Sequence, residues 1–77
     1  MSRFEVRGID TYELRNGAVP ERAYYPIATF DVEAEALACA EARALEPYQK
    51  DPNLCDRIEI FDGAEGRVIW SKVRPSD

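Results

Sequence analysis

The groups that could do chemistry in this 77-residue chain are its fifteen carboxylates and two cysteines; histidine is absent. Without histidine there is no Ser-His or Cys-His catalysis, no His-containing metal site, and the commonest general base at neutral pH is missing. Paired carboxylates can share general acid and base roles, yet no spacing here sets two of them apart as a pair. Asp62-Gly63-Ala64-Glu65-Gly66 is the nearest approach to an oxygen-ligand loop for calcium. It lacks the alternating acids and terminal glutamate of an EF-hand, and reads as a hairpin turn. Cys39 and Cys55 fit no CxxC or zinc spacing. Neither has the clustered cations that would activate a thiolate. There is no phosphate-cradling loop and no glycine-rich dinucleotide fingerprint. These absences predict a chain that is not an enzyme and needs no cofactor or metal. A small-ligand or catalytic role centred on Glu41 or Cys39 is the residual chemical reading.

The element that must position everything else is the stretch Asp31 to Glu46, DVEAEALACAEARALE. Six alanines and two leucines give it high helix propensity, with no glycine or internal proline. Asp31 is placed to cap the first turn, and Glu33 and Glu35 put negative charge at the positive end of the helix dipole. Pro47 disfavours helical backbone at Glu46 and so ends the helix. The charge-free stripe Ala36, Leu37, Ala40 and Ala44 is the preferred buried face, with Leu45 and Tyr48 at its margin. The competing stripe, through Ala34, Leu37, Ala38, Leu45 and Tyr48, would bury Glu41 without a partner, which is costly.

Strand patterns flank the helix. Phe4 and Val6 alternate with Arg3, Glu5 and Arg7, and the pattern, broken at Gly8, resumes at Tyr12 and Leu14; this predicts a strand over 3–14. Gly8 reads as a bulge, a bend or a packing gap. Asn16-Gly17 is a turn signal, and Ala18 to Arg22, with Pro20, lengthens the connection. A second strand over 23–30 carries Pro26, which places it at a sheet edge or interrupts it. Tyr25, Ile27 and Phe30 are its core-facing candidates. After a proline-bearing loop, residues 56–62 alternate again through Ile58 and Ile60. A glycine turn then leads to a strand over 67–74. There Val68 and Trp70 fall on one face and Ile69, Ser71 and Val73 on the other. A strand apolar on both faces lies either inside the sheet or against another molecule. The predicted fold is α+β: one domain over 1–77, in the order β-β-α-β-β, with one helix on a four-stranded, mostly antiparallel sheet.

The formal net charge of −5 is concentrated on the helix. Residues 31–46 hold five acids against Arg43, whereas residues 1–30 balance at four and four. Unselective nucleic-acid binding needs a clustered basic surface and is disfavoured. No apolar run approaches the roughly 20 residues that cross a bilayer, and no signal pattern is evident. The default is therefore a cytoplasmic chain with reduced thiols. A protein this short is marginal in stability, and dimerisation is a natural supplement.

The hairpin Ile58-Glu59-Ile60-Phe61-Asp62-Gly63 through Gly66-Arg67-Val68-Ile69-Trp70 resembles an ending found in small bacterial proteins of uncharacterised families, where it follows an alanine-rich helix. The resemblance implies a small α+β fold in a bacterial cytoplasm and no particular activity.

From the residues, the leading expectation is a non-enzymatic interaction or regulatory module, dimeric with itself or bound to another protein. Its candidate surface comprises Glu35 and Glu41 on the helix and Phe61, Ile69 and Val73 on the uncovered sheet face. The alternatives are an acidic, phage-related inhibitor or mimic directed at a nucleic-acid-binding protein, and a small-ligand binder.

Overall fold

The computed structural model describes residues 2–17 and 23–76. In chain order the elements are β1 (Phe4–Ile9), α1 (Thr11–Arg15), β2 (Tyr24–Phe30), α2 (Glu33–Leu45), a 3₁₀ turn (Tyr48–Lys50), β3 (Arg57–Asp62) and β4 (Arg67–Val73). The strands form one antiparallel sheet in the order β2-β1-β3-β4. The long helix packs across β3, β1 and β2. The α+β class and the β-β-α-β-β order of the packed elements are those that the sequence pattern predicts.

The helix buries the charge-free stripe. Ala36, Ala40 and Ala44 are buried and pack on Phe4, Val6, Ile58 and Ile60 of the two central strands, with Leu37 and Cys39 at the margin. Alanine side chains hold little volume, so the helix sits close to the sheet. Glu41 is exposed, as a solvated acid should be, and Leu45 is 70% exposed.

Three local expectations are corrected. The first strand stops at Ile9 rather than Leu14, because Asp10 caps a short helix: its carboxylate accepts from the Glu13 N–H at 3.2 Å. That cap competes successfully with continued pairing, and it leaves Tyr12 72% exposed. Asp31 does not cap α2; Val32 occupies that position and offers no side-chain bond, leaving Glu33 and Glu35 to complement the dipole. The third correction is the phase of β4, which a bulge reverses. Trp70 stands opposite Ile60 and Val68 opposite Phe61, so Ile69 is the extra residue. Val68, Ser71 and Val73 therefore share the open face, while Ile69 and Trp70 pack toward the core.

Gly8 lies in regular strand, and its role is close approach. A Cβ there would stand 2.9 Å from the Cys55 Cβ. The bulge on the neighbouring strand falls at Ile27, beside Pro26, between the pairs Val6–Ala28 and Arg7–Pro26. Ile27 and Phe30 reach the core. Gly17 takes a positive φ of 84° at the Asn16-Gly17 turn. The longer connection expected over 18–22 lies outside the described residues.

Candidate functional site

β4 is one of the two outer strands of the sheet, and no strand pairs beyond it among the described residues. The ladder phase can be read from two contacts. Arg74 N–H donates to Asp56 O at 2.7 Å, and Gly63 N–H to Arg3 O at 2.8 Å. Antiparallel pairs alternate between bonded and non-bonded. Trp70 and Lys72 therefore spend their backbone groups on Ile60 and Ile58. Ser71 and Val73 turn theirs away from the sheet.

The side chains of β4 match that reading. Val68 is 39% and Val73 57% exposed, on the open face, and Ser71 between them is exposed as well. Of the predicted surface residues, Val73 is where it was expected. Ile69 is at the bulge against the core, away from the open face. Phe61 is on the open face and half-buried, with the Arg7 guanidinium 4.7 Å from its ring centroid. Arg7 also stacks at 4.8 Å on Tyr24 and bonds Glu59 at 2.5 Å. The middle of the open face is thus a closed cation–π and ion-pair layer. The apolar exposure is displaced from Phe61 to the β4 margin. Val68 was missed because a bulge leaves no mark in a run of alternating residues. Glu35 and Glu41 are both exposed on α2. Six residues apart, they point about 120° from each other around the axis, so the structure does not bring them together.

Two polar anchors hold the ends of β4. At its start, Asp62 is buried and accepts two bonds from Arg3, at 3.0 Å each. Its Oδ1 also accepts from the N–H groups of Ala64, at 2.9 Å, and Glu65, at 3.3 Å. The Arg3 hydrogen bonds above all hold the Asp62 carboxyl down at about 2. This is a self-contained hairpin cap: Oδ1 accepts from three protein donors and Oδ2 from one.

At the other end, the Arg74 side chain is 1% exposed. Its Nε donates to Glu46 O at 2.9 Å, and one terminal nitrogen donates to Asp51 Oδ2 at 2.8 Å and Cys55 O at 3.1 Å. One buried guanidinium therefore ties the end of α2, the following loop and the start of β3 to the end of β4. Sequence reading gave Arg74 no role; a lone arginine before a proline carries no spacing signal.

Beside Val73 an open cleft of about 680 Å³ is lined by Asp10, Tyr12, Tyr48, Leu54 and Asp56, among others. Leu54 holds a φ of 53° and is 52% exposed. Both cysteines are free. Burial pushes the Cys55 thiol up to about 12, which makes it inert. Among the described residues no group of three or more acids or cysteines is placed to hold a metal ion, and no helix is long and apolar enough to cross a membrane.

Comparison of the chain with family models, with curated proteins and with solved structures gives no match.

Proposed function

We propose that this chain is a non-enzymatic protein-interaction module that works through β4. The observation that carries this reading is an outer strand with outward backbone groups and two exposed valines, lying outside the main cover of the helix. An unpaired edge of this kind is a template for a strand of another chain. Main-chain hydrogen bonds would supply affinity, and Val68 and Val73 would supply apolar contact. The absence of histidine, the inert Cys55 thiol and the committed Asp62 carboxylate favour binding over catalysis.

The test compares the native chain with Ser71→Pro, in sedimentation and in capture of proteins from the native host. Proline at Ser71 removes one outward N–H and leaves the β3–β4 ladder intact. Loss of association in the variant is expected. A native chain that binds neither itself nor anything the variant fails to bind refutes the reading.

A second reading, small-ligand binding, is favoured by the cleft beside Val73, where Leu54 presents an apolar side chain to solvent. It predicts a rise in anilinonaphthalene sulfonate fluorescence that Leu54→Asp abolishes; a native chain without that rise excludes it.

A further inference from the structure

Resting on β4 as the contact strand, we infer that its occupant is the β4 of a second copy, paired antiparallel with Ser71 on the two-fold axis. The register follows from charge and pleat. A two-fold axis normal to the sheet pairs the residue it passes through with itself. An axis midway between two residues sets helix-side against open-side side chains, which the pleat forbids. Placed on Lys72, the axis would oppose two ammonium groups directly. Placed on Val73, it would oppose Lys72 to Arg74, whose guanidinium is committed to Asp51 and two carbonyls. Placed on Trp70, it would set Lys72 against Val68, and the bulge at Ile69 puts those two on opposite faces.

Ser71 alone pairs Trp70 to Lys72 in phase with no like charges opposed; beyond them the bulge at Ile69, opposite the partner's Val73, ends the paired stretch. The outward N–H and C=O of Ser71 would exchange two hydrogen bonds with those of the partner's Ser71. Trp70 would lie beside the partner's Lys72 on the same face, twice by symmetry, a cation over an indole. No like charges stand opposite. The acidic helix rides over the other three strands, so the two negative helices stay away from the junction. The far edge cannot repeat the pairing, because β2 carries Pro26 and a bulge at Ile27. Association through β4 alone therefore closes at two copies.

The experiment measures mass by sedimentation equilibrium for the native chain and for Ser71→Pro. It adds oxidative cross-linking of Ser71→Cys and of Val68→Cys, each in a Cys39→Ser background. Facing residues of a hydrogen-bonded antiparallel pair have Cα atoms about 5.5 Å apart, inside the disulfide range. The native chain should sediment at twice its 8.8 kDa. Ser71→Pro should sediment at the single-chain mass with unchanged far-ultraviolet dichroism. Ser71→Cys should cross-link and Val68→Cys should not.

A native chain that keeps the single-chain mass at millimolar concentration overturns the inference. If Ser71→Pro then also loses a different protein partner, the interaction-module reading stands without it. A dimer that survives Ser71→Pro, or that cross-links as readily through Val68→Cys, places the contact elsewhere and overturns the inference as well.

Discussion

The two outer strands of this sheet are defended to very different degrees. β2 has α2 packed on it through Ile27 and Phe30, a bulge, and a proline whose missing N–H falls on the outer side. That last point follows from the ladder phase. Glu5, Arg7 and Ile9 spend their backbone groups on β3, so the Arg7–Pro26 pair is a non-bonded one. β4 has no proline and lies outside the main cover of the helix. Its bulge at Ile69 leaves Trp70 to Val73 regular. It is held at its ends, by Asp62 and Arg74, and left open in the middle. β2 is held by apolar packing under the helix. β4 adds to the apolar contacts of Ile69 and Trp70 polar anchors at its two ends, which leave its outer side untouched.

The largest break in this contrast should come from Arg74→Ala. Truncation leaves Asp51 without its cation and two main-chain carbonyls, of Glu46 and Cys55, without their donor. Losing one partner of a buried ionic cluster costs about 3–5 kcal/mol, a large share of what a domain this small holds. Urea unfolding should show that loss. A change below about 1 kcal/mol would mean that β4 does not depend on this anchor.

Gly8→Ala should act on the same loop from beneath, at smaller cost. The added Cβ would press within 2.9 Å of the Cys55 Cβ, on the residue whose carbonyl receives Arg74. Overpacking of this kind costs about 1–3 kcal/mol. Unchanged stability would show that the loop can move aside and that the close packing at Gly8 is not a constraint. The same burial predicts one thiol, Cys39, labelled by iodoacetamide in the native chain and both in denaturant.

What was legible in the sequence divides along the same line as the two edges. The helix, its alanine stripe and the placement of β2 at an edge were readable because each rests on a local cause: propensity, charge avoidance and a proline. The shift of the apolar surface from Phe61 and Ile69 to Val68, beside the expected Val73, was not readable. It depends on one bulged residue and on Arg7 reaching across from another strand to cover Phe61. Arg74 was equally silent, since its partners lie 19 to 28 residues away in the chain. The short helix at Thr11–Arg15 has a local signal in Asp10 as a cap, which the apparent alternation of Tyr12 and Leu14 masks.

The other anchor can be weakened without mutation. The folded Asp62 carboxyl sits at about 2, below its ordinary 3.8, chiefly through the Arg3 hydrogen bonds. A carboxyl lowered on folding stabilises the native state fully above its unfolded value, and that contribution is lost as pH falls through the folded one. The urea midpoint should therefore drop between pH 4 and pH 2. In Asp62→Asn the midpoint should start lower at neutral pH and show less of this drop. A variant that retains the full acid dependence would assign it to other carboxylates.

The smallest effect on stability, and the sharpest on the comparison, should come from Pro26→Val. Because the proline nitrogen faces outward, the substitution breaks no ladder bond, and the folding free energy should move by less than about 1 kcal/mol. It does give β2 an outward N–H and a residue that favours extended backbone. A chain with two usable edges no longer stops at two copies; each added copy presents another free edge. Light scattering should then rise steeply with concentration in Pro26→Val, and fall back when Ser71→Pro is combined with it. If Pro26→Val keeps the native mass at every concentration, the bulge at Ile27 and the helix packed on β2 are what close that edge, and the proline is incidental to its silence.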